Sequence, residues 1–206
     1  MITLSRRDDL TTAELPFADR PAAGKALAAR LLRYRDREDA IVLALPRGGV
    51  PVATTISDIL YLPMAVLPVR KICLPGSSSA IGAVAEGDVE VWNVKRVNDS
   101  PSAHPVVART IRQARAELAR FRQDNGQPRP DLHGRCVIIV DDGAVTGISL
   151  LAAIKAAKEA AAARVVAAIA VAPRDTWALL GEACDEVICV ATPEPFHDIG
   201  QSYLSF

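Results

Sequence analysis

Between Arg135 and Ala160 the sequence reads RCVIIVDDGAVTGISLLAAIKAAKEA. A short run rich in Val and Ile ends in two adjacent aspartates, passes through a small-residue loop and enters an alanine-rich segment. The run 136–140 predicts a buried strand, and the residues after the loop predict a helix over about 147–163. A strand–loop–helix unit of this kind must bury its strand beside others of the same direction. That requirement restricts the chain to layered α/β folds.

The rest of the sequence repeats the alternation. Ala26, Leu27, Leu31 and Tyr34 fall at helical spacing with arginines between them, which predicts an amphipathic helix from Ala22 to Arg37. AIVLAL at 40–45, bounded by Pro46, predicts a buried strand. After the break PRGG, VPVATTISDILYL resumes helical spacing, with Pro51 tolerable in a first turn. MAVLPVRKI at 64–72 predicts a second strand, interrupted by Pro68. Residues 73–101 are richer in Gly, Ser and Asp and read as a long flexible loop carrying a hairpin, with Asp88 to Trp92 alternating as a short strand would. A basic helix from Pro105 to Arg122 and a turn-rich connector follow. Beyond the acid pair, strands at 164–171 and 186–190 alternate with a helix at 175–182. The expected architecture is a parallel twisted sheet flanked by helices, in a single domain over 1–206.

Composition narrows the classes of function. A chain of 206 residues, 50% hydrophobic, can bury a substantial core, and it has no uncharged apolar run of membrane-spanning length. Lys plus Arg and Asp plus Glu balance at 24 each, which gives no electrostatic case for nucleic acid or a membrane surface. The first residues carry two arginines but no apolar signal region, so a cytoplasmic location is expected. Cys73, Cys136, Cys184 and Cys189 lack CxxC spacing and read as reduced thiols, mostly buried. His104, His133 and His197 have no metal-ligand spacing.

In an open parallel sheet, ligands bind beyond the carboxyl ends of the strands, which is where Asp141 and Asp142 stand. The loop Gly143 to Ser149 offers small residues, two hydroxyls and a helix N-terminus, a combination suited to phosphate. The aspartates would repel that phosphate, so their role is to accept hydrogen bonds from sugar hydroxyls or to help hold a hydrated magnesium ion. The loop lacks the lysine of a Walker P-loop and the spacing of a dinucleotide site. A phosphorylated aspartate would be expected nearer the first strands. A simple helix cap would need less than two acids followed by Thr-Gly-x-Ser.

VIIVDDGAVTGIS resembles the phosphoribosyl-pyrophosphate signature of the type I phosphoribosyltransferases, departing from it in having Gly143 where an apolar residue is commoner. The resemblance implies that Asp141 and Asp142 contact the ribose, and that Ala144, Val145, Thr146, Gly147, Ile148 and Ser149 hold the 5-phosphate. It also implies a pyrophosphate site in LALPRGGVPVA, from Arg47, Gly48 and Gly49, with Arg70 and Lys71 contributing, and an unusual cis peptide there, at Arg47–Gly48. Glycine amides, the following helix dipole and the Arg47 guanidinium all suit an anion. By the same resemblance residues 73–101 form a mobile loop that closes over the reacting centre, with Glu86 a solvated loop acid. The tail 191–206 would be a hood for the acceptor, with Phe196 stacking on a planar base and backbone groups near Ile199 reading its edge. The lysine usual before such a hood has only Arg174 as a loose counterpart.

The implied function is transfer of a phosphoribosyl group from phosphoribosyl pyrophosphate to a nitrogen acceptor such as a purine-like base, with release of pyrophosphate. Asp141, Asp142 and Arg47 are the implied catalytic residues, magnesium arrives mainly with the substrate, and a homodimer is expected. LPRGGVPVA, AIGAVAEG and PEPF look most like stand-alone bacterial members of undefined acceptor. The competing reading is a non-catalytic regulator that senses phosphoribosyl pyrophosphate or a nucleotide. A nucleic-acid-binding regulator should show a basic face, and the cluster Arg109, Arg112, Arg115, Arg120 and Arg122 reads more simply as a solvated face or a dimer contact.

Overall fold

The structure, a computed structural model, describes residues 15–93 apart from 75 and 78, and residues 105–206 apart from 127. Five parallel strands form the main sheet in the order β2 (Met64–Val66), β1 (Ala40–Ala44), β6 (Cys136–Asp141), β7 (Arg164–Val171) and β8 (Glu186–Ala191). Every residue of β1 and β8 is buried, as the continuous apolar runs require of strands covered on both faces. Helices α1 (Arg20–Arg30) and α2 (Gly49–Leu60) cover one face, where Leu27, Ile56 and Leu60 meet Val42, Ile138 and Val140. Helices α4 (Ile148–Glu159) and α5 (Arg174–Ala183) cover the other, where Ile154 and Leu180 join Leu43, Ile139 and Ile169.

Two expectations of strand and loop are corrected. The segment 64–72 is two strands in two sheets. The Leu67 N–H still donates to Ala44 O at 3.0 Å, but Pro68 has no N–H to continue the ladder, and β3 (Val69–Cys73) leaves for a separate sheet. Residues 73–101 hold more regular structure than a loop with a hairpin. β4 (Ala80–Ala85) and β5 (Val89–Trp92) pair antiparallel with each other, and β4 pairs with β3. The alanine-rich β4 is buried on both faces, so it shows neither the alternation nor the bulky residues that mark a half-buried strand. Its inner face rests on the α4 side of the core, and its outer face is covered by Val107, Ile111 and Leu118 of α3 (Pro105–Asn125). Residues 94–104, which include part of the expected mobile loop, lie outside the described residues.

Helix ends differ from expectation for local reasons. α1 stops at Arg30 rather than Arg37, and a single 3-10 turn, Leu32–Tyr34, brings the Tyr34 hydroxyl to 2.6 Å from buried Glu186. Its start is set by Asp19, whose carboxylate accepts the Ala22 N–H at 2.8 Å, with proline in the first turn. The basic helix is less free than its composition implied. Arg115 pairs with Glu90 at 2.8 Å, and Arg122 pairs with Glu86, which fastens α3 to the turn between β4 and β5.

Candidate functional site

The strand order reverses between β1 and β6. From β1 the chain crosses outward through α2 to β2, and from β6 it crosses the other way to β7 and β8. The loops leaving β1 and β6 therefore part at their carboxyl ends and leave a crevice, the usual ligand position in such sheets. Both anion loops inferred from the sequence lie there.

Strand alternation separates the two aspartates. Asp141 closes β6 opposite Ile169 and shares the face of Ile139, whereas Asp142 falls on the face of Val140, toward α1. Asp141 borders a cleft of about 310 Å³, including its open part, together with Lys71, residues 143–150 and Ile199. Burial, and then the neighbouring Asp142 carboxylate, push the Asp141 carboxyl well above the usual carboxylate range, against a smaller opposing effect of Lys71. Asp142 is only 6% exposed; its carboxylate accepts a hydrogen bond from Arg20 Nε at 2.8 Å, and its carbonyl accepts one from the Tyr203 hydroxyl at 2.6 Å. The two acids, expected to act together, thus have different surroundings. Only Asp141 borders the cleft.

The loop after β6 is open to an anion over most of its length. The Ala144 N–H is committed, donating to Val171 O at 2.9 Å, so this residue lines the cleft without offering its amide. From Val145 to Leu150 the N–H groups meet no backbone acceptor among the described residues. The N-terminus of α4, with Gly147 as N-cap, has no side-chain cap, so the aspartates are not capping residues. Gly143 is where the sequence departs from the signature it resembles. A Cβ there would lie 2.7 Å from Ile199 Cγ2 and 3.0 Å from Val171 Cγ2, so the glycine leaves room for the tail to close against the loop.

The loop after β1 is arranged differently from the expected double-glycine amide cradle. The Gly49 N–H donates to Leu45 O at 3.0 Å and is not available to a ligand. Gly48 packs directly on Asp142, since a Cβ there would sit 1.9 Å from Asp142 Oδ2, and Gly49 packs on Asp141, where a Cβ would sit 3.2 Å from Oδ1. Arg47 is exposed beside them. The non-proline cis peptide is present, one bond earlier than expected, between Pro46 and Arg47.

Of the paired cations, Lys71 borders the cleft and Arg70 does not. Successive residues of β3 point to opposite faces, and Arg70 is turned to α3, where its Nε lies 3.1 Å from Glu117 Oε2. Glu86 is not a solvated acid, because Arg122 holds it with 11% of its side chain exposed. In the tail, Ile199 borders the cleft. Phe196 instead packs on the α1 and α2 side of the core and lines a different hollow, formed with Leu15, Pro16 and Pro195. His197 is exposed, and Arg174 pairs with Glu194 at 2.9 Å. Sequence reasoning missed Arg20, Tyr203 and Thr176. Asp19 and Pro21 mark the helix start that carries Arg20, but nothing local links it to Asp142.

The family model described as a phosphoribosyl transferase domain matches residues 18–198. A Mycobacterium tuberculosis protein whose name assigns it provisionally to the phosphoribosyl transferases is 38% identical over 195 residues, 92% of this chain. The chain spans 43% of that relative's length. Among solved structures, TT1426 from Thermus thermophilus superposes with a TM-score of 0.75 at 34% identity, covering 93% of this chain and 92% of that one. The AQ2163 protein from Aquifex aeolicus, at 14% identity and a TM-score of 0.54 over 88% of this chain and 78% of its own, shares the fold.

Proposed function

Because the chain belongs to the phosphoribosyl transferase domain family, we propose that it binds phosphoribosyl pyrophosphate with magnesium and transfers the phosphoribosyl group to a nitrogen nucleophile, releasing pyrophosphate. The observation that carries this reading is the cleft at the carboxyl end of β6, where one partly buried acid stands beside a loop and helix end whose N–H groups meet no backbone acceptor among the described residues. A sugar phosphate matches both chemistries at once.

In this reading the amides and hydroxyls between Val145 and Ser149 take the 5-phosphate, and Asp141 accepts hydrogen bonds from the ribose hydroxyls. Asp142 acts behind it. Held by Arg20 and pressed on Gly48, it joins the two loops and sets the electrostatic surroundings of Asp141. Lys71 and Arg47 remain as cations for the diphosphate, which gains charge as its bond to C1 of the ribose breaks. Ile199, against Gly143, walls the cleft with an apolar side chain suited to the face or edge of a ring; Phe196 would need the tail to rearrange before it could stack on one.

No group of three or more His, Cys, Asp and Glu able to hold a metal ion occurs among the described residues. Asp141, which borders the cleft, fits a magnesium ion that enters on the diphosphate, its carboxylate reaching the ion through water. When bound, that ion would supply charge neutralisation of the leaving group. The residues of the chain orient the sugar, hold its phosphate and limit water. No helix among the described residues is long and apolar enough to cross a membrane.

The pairing of Arg115 and Arg122 with acids of the small sheet reduces the basic face a nucleic-acid-binding regulator would need, and favours the transferase reading. The test is titration calorimetry with phosphoribosyl pyrophosphate and magnesium, followed by pyrophosphate release against purines, pyrimidines and smaller nitrogen heterocycles. Binding abolished by Asp141→Asn, and release with at least one base, are expected. Absence of heat with the wild-type protein would remove the proposal.

A further inference from the structure

We infer that Thr176, on α5, is a positioning residue that aims a backbone donor of the phosphate loop into the cleft. Thr176 is 6% exposed, and its hydroxyl donates to the carbonyl of Val145 at 2.6 Å, across 31 residues of sequence. A threonine in the first turn of a helix normally serves its own helix, as a cap or by bonding a nearby carbonyl. Here it reaches instead to the loop that follows β6.

The consequence lies in the geometry of one peptide unit. The bond between Val145 and Thr146 is trans, so its plane carries the Val145 C=O and the Thr146 N–H in opposite directions. Fixing the carbonyl toward α5 therefore turns the Thr146 N–H away from α5, to the side where Thr146 borders the cleft. Without the hydroxyl, the carbonyl has no described partner, and the next residue, Gly147, permits the plane to rotate toward water. The loop would then present an oxygen where an anion requires a hydrogen. One end of the loop is independently tied by Ala144 N–H to Val171 O, so Thr176 fixes the part that this tie does not reach.

The inference rests on the proposed phosphate site, but it makes a structural claim that can fail separately. Thr176→Val keeps the shape and removes the donor; Thr176→Ser keeps the donor and removes the methyl group. Binding of ribose 5-phosphate is measured by calorimetry, KM and kcat for phosphoribosyl pyrophosphate by pyrophosphate release, and the orientation of the 145–146 peptide by crystallography of each variant. Thr176→Val is expected to weaken ribose 5-phosphate by about tenfold or more, the effect of losing one hydrogen bond to a charged group. It should raise KM with kcat within about twofold, while Thr176→Ser stays near wild type. A Thr176→Val structure that keeps the wild-type peptide orientation, or a Thr176→Ser variant as impaired as Thr176→Val, overturns the inference. A rotated peptide with no ribose 5-phosphate binding by the wild type would support the positioning role and remove the transferase reading.

Discussion

Replacing Arg20 by methionine tests how the acid pair is held. Arg20 Nε lies 2.8 Å from Asp142 Oδ2, with 23% of the arginine side chain and 9% of the aspartate side chain exposed. The guanidinium also stacks on Phe206, 3.9 Å from its ring centroid. Breaking a fully buried pair costs about 3–5 kcal/mol, because the surviving charge is left without compensation. Exposed pairs are worth about 0–1 kcal/mol. Arg20 is nearly a quarter exposed, so water can approach the abandoned carboxylate from that side, and a loss of about 2 kcal/mol is expected. For a chain of this size that corresponds to a fall in Tm of roughly 4–8 °C. Methionine retains much of the apolar stem, so the loss should report the charge rather than the packing. The assay is thermal unfolding of Arg20→Met, Asp142→Asn and the double variant at neutral pH. Arg20→Met should be the least stable of the three, with the double variant recovering part of its loss. A fall below about 1 °C, or single effects that simply add in the double variant, would refute the reasoning.

Three further outcomes follow from the geometry. Asp141 has a folded-state pKa above that of the unfolded chain, so folded protein holds its proton more tightly and stability falls as pH rises from the ordinary carboxylate range through the folded value. Asp141→Asn should therefore melt above wild type at neutral pH and converge with it as pH approaches about 4, while losing ligand; equal melting at all pH values would contradict the assigned burial. Gly143→Ala places a Cβ 2.7 Å from Ile199 and should cost about 1–3 kcal/mol in unfolding experiments, partly recovered by adding Ile199→Ala. Burial raises the Cys184 thiol to about 11 and the Cys189 thiol to about 12, and Cys136 is also raised, so a thiol reagent should label the folded protein at the half-exposed Cys73 and reach the others only on unfolding.

The parallel core was legible because its strands are continuous apolar runs separated by helical periodicities, a pattern with few other solutions. The β6 loop was legible because its chemistry is local: acids, small residues and a helix start follow one another within a few positions. What escaped was non-local or lacked contrast. β4 reads AIGAVA, small residues buried on both faces, which carry little strand preference. The split between Asp141 and Asp142 required the pleat to be placed between two specific helices. The partners Arg20 and Tyr203 lie at opposite ends of the sequence and meet only at Asp142. Arg70 and Lys71 are neighbours on a strand and so point to opposite faces, but which of them meets the cleft depends on where the small sheet sits between α3 and the core. Phe196 and Ile199 followed the same course in the tail, where packing gave the cleft to the aliphatic residue.

The β1–β6 ladder, Ala40 with Cys136 through Ala44 with Val140, has a temporal consequence. Its strands are far apart in sequence, and the small sheet and α3 lie between them. Closing so long a loop costs entropy before any ladder bond is gained, so this pairing belongs to the later steps of folding. During synthesis, a nascent chain that ends before Cys136 can form β1, α2 and β2, yet it has no crevice, because the strand that supplies the acids has not been made. Whatever anion the finished crevice takes can therefore act on folding only by trapping the completed β1–β6 pair, and it should slow unfolding more than it accelerates refolding.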